Sequence, residues 1–361
     1  MGVRPRPAWQ ACPPGPVTDG ATVTGAGVQV WTEVSQVPTG WGPSVVTLGN
    51  FDGVHRGHVA VLTRMVDDAR AVGAHAVAVT FTPHPARVHR PDDAPPLLLG
   101  DADRLELLAG TGLDAVLLVT YTLDFARQSP EEFVRRYLVG ALQARTVVVG
   151  RDVRFGWQNS GDLSTMRELG KRYGFEVEVI DDVRPGEAAA DAPAHRRWSS
   201  TWVRELLAAG DVRTAADVLG RPHRLRGVVV HGDARGRELG YPTANLGSTT
   251  GMVPADGVYA GWLRRGERAA DGTPVPAADR VLPAAVSIGT NPTFAGRERR
   301  VEAYVLDRTD LELYDEEVVL ELAVRLRPTL RFASVDDLLV QMAADVRDVR
   351  RELGTTVPPG A

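Results

Sequence analysis

The stretch GNFDGVHRGH, residues 49–58, lies between an apolar run at 45–48 and a helical pattern of hydrophobic residues. The run is typical of a short buried strand, and the spacing of Val59, Leu62, Val66 and Ala69 predicts one face of a helix. His55 and His58 therefore fall in a strand-to-helix turn. Free backbone N–H groups and the helix dipole make such a turn a ready anion site, and the glycines allow close approach of a phosphate.

Two other interpretations of the histidines stay open. A histidine in a loop is ordinarily a polar surface residue, although a pair with this spacing at a strand-helix junction is less easily accidental. A His-x-x-His pair could also bind a metal ion, but zinc needs further ligands. The sole cysteine, Cys12, lies far away along the chain.

Strand-like and helical segments alternate through the first part of the chain. The predicted strands are 45–48, 76–81, 115–120, 146–149 and 176–180, and the predicted helices are 58–72, 101–110, 130–143 and 162–173. This alternation predicts a Rossmann-like α/β domain with a parallel sheet and right-handed crossovers. Ligands bind beyond the carboxyl ends of such strands, which is where the 49–58 turn lies.

The pattern changes after a break at Gly220-Arg221-Pro222, following two predicted helices that end at 209 and 219. Short β-branched runs separated by glycine and proline turns predict an antiparallel barrel or sandwich. These runs are 228–230, 257–263, 284–288, 301–306 and 318–326. A final amphipathic helix is expected over 334–353, capped by Ser334. We accordingly expect domains at 28–219 and 220–354, with disordered segments at 1–27 and 355–361.

The composition limits the classes of protein. The chain has 361 residues, a hydrophobic fraction of 43% and a net charge of −5, so a global basic field for nucleic acid is absent. No apolar run reaches transmembrane length and no secretory signal is recognisable. With one cysteine, these features predict a cytoplasmic protein without membrane partners. We expect a monomer or weak homo-oligomer, although composition does not determine the oligomeric state. Lys171 is the only lysine, so a phosphate clamp elsewhere must use arginine, histidine, helix ends or a metal ion.

The ordered motifs resemble those of the bacterial bifunctional riboflavin kinase/FAD synthetase family. The resemblance runs from about residue 28 to 353. Its motifs are GNFDGVHRGH (49–58), TFTPHP (80–85), SPEEFV (129–134), VVVGRDVRFG (147–156), SSTWVR (199–204), VVHGDARGRELGYPTANL (229–246), GVYAG (257–261), IGTNPTF (288–294) and VEAYVLD (301–307). The chain departs from the family at Asp315, where a glycine is usual, which raises a question about the geometry of that turn.

For the first domain the resemblance implies adenylyl transfer from ATP to FMN, forming FAD and pyrophosphate. His55 and His58 would be catalytic through their contacts with the ATP phosphates. The resemblance further implies ATP contacts from Asn50, Asp52, Arg197, Ser200, Thr201 and Arg204. Flavin contacts would come from Pro83, His84, Asp152 and Phe155, although the Pro-His-Pro segment could equally be a rigid loop without ligand contact.

For the second domain the resemblance implies an antiparallel six-stranded barrel and ATP-dependent phosphorylation of riboflavin to FMN. Glu302 would be the catalytic base; without the resemblance it would be read as an outward-facing strand residue. Thr243 and Asn245 would ligate Mg²⁺ and contact ATP. The remaining ATP contacts would come from a glycine-containing basic loop, with Gly232, Arg235, Gly236 and Arg237.

Three rival functions remain at this point. One domain could have lost its activity, the protein could bind flavin without catalysis, or the first domain could adenylylate another phosphomonoester. The intact His55, His58, Thr243, Asn245 and Glu302 argue against the first rival, and the kinase-like second domain argues against the third.

Overall fold

The computed structural model describes residues 22–23, 27–180, 196–232, 236, 239–290 and 299–355. The chain divides into two compact units, each of which makes most of its residue contacts within itself. The first contains residues up to 95 together with 101–184. The second contains 96–100 and the chain from 185 onward. The predicted disordered segments fall largely outside the described residues, as do Arg235 and Arg237.

The first unit is built on a seven-stranded sheet in the order β1-β2-β5-β4-β3-β6-β7. All neighbouring strands are parallel except β1 and β2, which pair antiparallel. The strands are β1 Thr22–Val23, β2 Gln29–Trp31, β3 Ser44–Leu48, β4 His75–Thr82, β5 Ala115–Thr120, β6 Ala144–Gly150 and β7 Glu176–Ile180. Because β3 lies between β4 and β6, the chain reverses its direction of strand addition beside β3, and its carboxyl end is a topological switch point.

Helices connect these strands and cover the sheet. They are α1 Arg56–Ala71, α2 Pro85–His89, α3 Asp101–Ala109, α4 Leu123–Ala126, α5 Pro130–Phe133 and α6 Leu163–Tyr173. A π-helix, Val134–Ala141, continues α5, so the helix predicted over 130–143 is present in two forms. Helix α1 buries Leu62, Met65, Val66 and Ala69, three of which belong to the predicted apolar face. The predicted parallel sheet with covering helices is confirmed.

The second unit is a closed antiparallel barrel of six strands, ordered β10-β11-β12-β9-β8-β13. The strands are β8 His223–Val230, β9 Thr243–Leu246, β10 Gly257–Arg265, β11 Val281–Thr290, β12 Arg299–Val305 and β13 Glu317–Arg327. Pairing of β10 with both β11 and β13 closes the barrel. The predicted six-stranded barrel is thus confirmed, as is the final helix, α9 Val335–Leu353, which Ser334 caps.

Two further helices, α7 Ser200–Ala209 and α8 Val212–Leu219, share the hydrophobic core of the barrel unit. Trp202 and Leu207 of α7 and Val218 of α8 are buried in one cluster with barrel residues such as Leu225. The contacts between residues therefore place the boundary at 184/185, whereas the sequence pattern places it at 219/220. The boundaries differ because the apolar faces of α7 and α8 pack in the core of the barrel unit.

Three strands were not predicted. Thr22–Val23, placed in a disordered extension by the sequence, pairs with Val30 and Gln29 of β2. Strands β1 and β2 are only two and three residues long, and β9 alternates polar with apolar residues over four positions. Such short runs carry little periodic signal. Among the described residues, no helix is both long and apolar enough to span a membrane.

Candidate active sites

The turn after β3 has an unusual backbone. Phe51, Gly53 and Val54 have φ values of 47°, 83° and 39°, in the left-handed region. This region is uncommon for a residue other than glycine and exceptional for β-branched valine. The turn brings the chain from the switch point to α1, whose first helical residue is Arg56. It therefore aims the free N–H groups of a helix start at the carboxyl edge of the sheet.

The two histidines of this turn stack on each other. Their ring centroids are 3.7 Å apart with an interplanar angle of 19°. His55 caps α1, since its Nδ1 accepts a hydrogen bond from the backbone N–H of His58 at 3.3 Å. A neutral His55 consequently carries its proton on Nε2. Asp52 and His55 are buried, while Asn50 and His58 are partly exposed, so the four predicted residues of this turn lie together.

The turn is attached to β4 through the carbonyl oxygen of Asn50. This oxygen accepts hydrogen bonds from Thr80 Oγ1 at 3.3 Å and from Arg104 Nη1 at 2.9 Å. Arg104 lies on α3 and is buried; its desolvation lowers the pKa of its guanidinium, against the opposing charges of Asp101 and Asp52. Sequence reasoning missed Arg104, because an arginine on an amphipathic helix is ordinarily solvent-exposed.

An aromatic cluster follows the carboxyl ends of β4 and β5. Phe81 and Tyr121 have centroids 5.7 Å apart, and Phe125 lies 5.2 Å from Tyr121. All three rings are partly exposed. Burial raises the pKa of Tyr121, whose hydroxyl lies 2.9 Å from His89 Nε2. The sequence signal for this cluster was available, since Phe81 ends a predicted strand and Tyr121 directly follows one.

The residues predicted to contact flavin occupy different environments. His84 caps the short helix α2 by accepting a hydrogen bond from Ala86 N at 3.1 Å, next to a cis peptide at Thr82–Pro83. Asp152 is exposed. Phe155 is buried and packs on Phe133, with centroids 6.1 Å apart. Core packing therefore accounts for Phe155, while Asp152 lies at the surface.

The residues predicted from the SSTWVR motif belong to the second compact unit. Ser199 caps α7 by accepting from Trp202 N, so Ser200 and Thr201 form its first turn. Arg204 Nε donates to the carbonyl oxygen of Pro96 at 2.8 Å, and Arg197 is exposed upstream. These four predicted residues share one helix start, in a unit other than that of the histidines.

Polar residues of two barrel strands form a row on the outer face. Glu302 of β12 lies opposite Asn245 of β9, and Tyr304 lies opposite Thr243. Directly opposed residues of antiparallel strands share a face. The alternating neighbours Ala244 and Ala303 are buried, so the polar row points away from the barrel core. The pairing of β9 with β12 thus brings Thr243, Asn245 and Glu302 together on one face.

The glycines predicted to bind phosphate approach this row closely. A Cβ atom on Gly232 would lie 2.4 Å from Asn245 Nδ2, and one on Gly236 would lie 2.4 Å from the carbonyl oxygen of Tyr241 and 3.5 Å from Thr243 Oγ1. Neither position can hold a larger side chain without displacing its neighbours. The described part of the loop therefore lies against the predicted metal and ATP residues.

A pocket with a cavity volume of about 50 Å³ opens beside Thr243. Its wall is mixed, with apolar Val229 and Leu313 beside polar Thr243, Arg308 and Tyr314. Tyr314 stacks on His231 with centroids 3.8 Å apart. In the described part of the chain, no group of three or more His, Cys, Asp or Glu side chains could hold a metal ion. The additional ligands of a zinc site at His55 and His58 are thus not found there.

Comparison with known proteins assigns each part of the chain to a family. Residues 38–191 match the FAD synthetase family and residues 219–353 match the riboflavin kinase family. The bifunctional riboflavin kinase/FMN adenylyltransferase of Escherichia coli K12 is 34% identical over 87% of this chain and 94% of its own length. The chain belongs to the bifunctional riboflavin kinase/FMN adenylyltransferase family.

A second family member and a solved structure are also similar to this chain over most of its length. The Pseudomonas fluorescens bifunctional enzyme is 36% identical over 85% of this chain and 92% of its own length. A Streptococcus pneumoniae protein, described as a macrolide-efflux protein, has a similar crystal structure. It has a TM-score of 0.74 and 30% identity, covering 89% of this chain and 98% of that one. The family order, with FAD synthetase first and riboflavin kinase second, matches the order of the two folds.

Proposed function

We propose that this chain converts riboflavin to FAD in two ATP-dependent steps, with FMN as the intermediate. The barrel unit would phosphorylate riboflavin, and the turn after β3 would serve adenylyl transfer to FMN. The observation that carries the proposal is that this chain, a member of the family, has two separate polar sites. One is the stacked histidine pair at the switch point, and the other is the Thr243, Asn245 and Glu302 row on the barrel.

In adenylyl transfer, a phosphate oxygen of FMN attacks the α-phosphorus of ATP, and the bond to the leaving pyrophosphate breaks. The main requirement is stabilisation of negative charge in an in-line geometry. His55 and His58 donate hydrogen bonds to the phosphates, and the first turn of α1 adds its N–H groups. Asn50 and Asp52 shape the same turn.

Further ATP and flavin contacts are assigned on the motifs and the local structure. Arg197, Ser200, Thr201 and Arg204 would bind ATP phosphates through the start of α7. Pro83, His84, Asp152 and Phe155 would border FMN, and we add the partly exposed rings of Phe81, Tyr121 and Phe125. A flavin ring gains from stacked or edge-on aromatic neighbours, which supports this addition.

In the kinase step, the terminal ribityl hydroxyl of riboflavin attacks the γ-phosphorus of ATP, and ADP leaves. Glu302 accepts the hydroxyl proton as general base. Gly232 and Gly236 allow the loop backbone to approach phosphate, and Arg235 and Arg237 would add charge.

Thr243 and Asn245 fit a magnesium ion. Both offer hard oxygen atoms on one face of the barrel. Asn245 Nδ2 donates to the carbonyl oxygen of Thr243 at 3.4 Å, which leaves Oδ1 as the donor atom for a cation. When bound, Mg²⁺ neutralises phosphate charge.

We further propose that the protein is cytoplasmic, that it is a monomer or a weak homo-oligomer, and that its domains span 28–219 and 220–354.

Product analysis by liquid chromatography tests this function. The purified protein is incubated with ATP and Mg²⁺, with riboflavin in one tube and FMN in the other. We expect FMN followed by FAD in the first tube and FAD in the second. FMN alone in the first tube, with none converted in the second, would refute the adenylyl-transfer proposal. Folded protein that forms neither product would instead indicate a flavin-binding protein.

A further inference from the structure

Arg104 is a buried cation of the first unit that the sequence motifs do not include. It is 4% exposed, and its guanidinium contacts three acceptors. These are the carbonyl oxygen of Asn50 at 2.9 Å, the carbonyl oxygen of Phe81 at 2.8 Å and Asp101 Oδ1 at 2.7 Å. One side chain thus joins the turn after β3 to the carboxyl end of β4.

Burial of the charged Arg104 side chain costs desolvation free energy. Desolvation is the largest influence on its pKa and acts to lower it. Its ion-pair partner Asp101 is itself 44% exposed in its side chain, which weakens the attraction that offsets desolvation. An apolar side chain of similar length could fill the space. What the guanidinium alone provides is a planar fork that donates to two carbonyl oxygens at once.

The turn that Arg104 contacts needs external support. Phe51 and Val54 have left-handed φ values of 47° and 39°, and such conformations persist only where surrounding contacts fix them. Besides Arg104, the Asn50 carbonyl accepts from Thr80 Oγ1 at a longer 3.3 Å. Asp101 in turn accepts a hydrogen bond of 2.5 Å from Thr82 Oγ1. The network therefore anchors the turn to β4.

We infer that Arg104 is a positioning residue for adenylyl transfer. By holding the Asn50 and Phe81 carbonyl groups, it fixes the turn that presents His55 and His58 to the ATP phosphates. This role rests on the adenylyl-transfer function proposed above. The competing account is that Arg104 only stabilises the first unit as a whole, and the experiment separates the two.

The test compares Arg104→Met and Arg104→Lys with the control Arg127→Met. Arg127 also pairs with an acid three residues earlier, Asp124, but it is 66% exposed in its side chain. Hydrogen–deuterium exchange is followed in full-length protein for peptides covering 49–58 and for peptides covering α6. FAD formation from FMN gives KM for ATP and kcat, and FMN formation from riboflavin reports on the other unit.

We expect Arg104→Met to raise exchange in 49–58 by about tenfold or more while α6 is unchanged. The KM for ATP in FAD formation should rise by about tenfold, with riboflavin phosphorylation preserved. Arg104→Lys should be intermediate, because lysine keeps the charge and loses the fork. Arg127→Met should match the wild type in every measurement.

Two results would overturn the inference. One is wild-type exchange in 49–58 in a folded Arg104→Met protein. The other is faster exchange across the whole first unit with an unchanged KM for ATP, which is the signature of a general stabiliser. If the wild type forms no FAD, the proposed function fails. The exchange data then still decide whether Arg104 holds the turn, so the two failures are distinguishable.

Discussion

His55 and His58 owe their position to a turn whose backbone leaves the ordinary regions. Left-handed φ values at Phe51 and Val54 cost on the order of 1–3 kcal/mol each. The gain is a stacked pair of imidazoles at the start of α1, where in the proposed reaction a polyphosphate would find both ring N–H and backbone N–H donors. In that proposal, the backbone strain of the turn serves the geometry of ligand contact.

A single added methyl group at Gly232 should impair riboflavin phosphorylation and leave FAD formation intact. In Gly232→Ala the new Cβ would meet the Asn245 side chain at about 2.4 Å, so either the loop or Asn245 must move. We expect kcat/KM for riboflavin phosphorylation to fall by about tenfold or more, with FAD formation from FMN unchanged. Steady-state assays with riboflavin and with FMN check this.

Gly266→Ala is the matched control for that substitution. A Cβ on Gly266 would lie 3.5 Å from the nearest atom, an ordinary contact, in the same unit. Its kinase activity should equal that of the wild type. Full kinase activity in Gly232→Ala would contradict the proposed role of this loop.

Residues carried by motifs could be predicted from the sequence, whereas residues placed by tertiary burial could not. His55, Asn245 and Glu302 stand in recognisable patterns, but Arg104 has no local signal, because only the packing of α3 buries it. Asp315 is an intermediate case. Its departure from the family's glycine raised the question of turn geometry, and its φ of 62° is a left-handed conformation that aspartate tolerates better than most residues.

At the scale of elements, α9 is tied to the barrel by a buried ion pair. Arg327 donates to Asp345 through two hydrogen bonds, of 2.8 and 2.6 Å. Asp345 is 5% exposed and also accepts from Gln341 at 2.9 Å. This geometry satisfies both charges, so the loss of one partner would leave the other uncompensated.

Asp345→Ala should therefore destabilise the second unit strongly, by about 3–5 kcal/mol, since it removes the carboxylate partner of Arg327, whose side chain is only 16% exposed. Urea denaturation of the full chain, followed by a signal from the barrel unit, measures the change. Asp348→Ala is the control on the same helix, because the Asp348–Arg351 pair is exposed and should contribute less than about 1 kcal/mol. Equal effects of both substitutions would be inconsistent with this account.

Helix α6 offers a prediction about pH. Asp162 caps this helix, and hydrogen bonds from Thr165 N and from the Ser164 and Thr165 hydroxyls lower its pKa from 3.8 to about 2. A carboxyl group with a lowered folded pKa stabilises the fold above its unfolded pKa, and this contribution is lost as the pH falls through the folded pKa.

The stability difference between the wild type and Asp162→Asn should accordingly be constant above about pH 5 and shrink between about pH 4 and pH 2. Asparagine keeps a capping oxygen and removes only the charge. Denaturation curves at a series of pH values measure the difference. A difference that grows on acidification would contradict the assigned cause.

Long periodic elements were predictable, and short ones were not. Helix α9 and the alternating core strands were recognised from hydrophobic periodicity, with Ser334 as the cap. Strand β9 was missed because its four residues put two polar side chains, Thr243 and Asn245, on the outer face. The family resemblance nevertheless singles out the same two residues as predicted magnesium and ATP ligands, which local periodicity does not.

At the scale of the whole molecule, the chain has two units with separate cores, and the stacked histidines lie in one unit while Glu302 lies in the other. The alternation of strands and helices predicted a parallel sheet, but the order that places β3 at the switch point depends on pairing between distant segments. The segment containing α7 and α8 likewise joins the barrel unit through tertiary packing. Local periodicity contains neither kind of information.

The central claim is that the histidine turn after β3 and the polar row on the barrel serve two separate reactions. The most direct test is a product time course by liquid chromatography for the full-length wild type, His58→Ala and Glu302→Gln. Each protein receives either riboflavin or FMN, with ATP and Mg²⁺. We predict that His58→Ala forms FMN from riboflavin and no FAD, while Glu302→Gln forms FAD from FMN and no FMN from riboflavin. Parallel loss of both activities in either folded variant would contradict the division of function between the two sites.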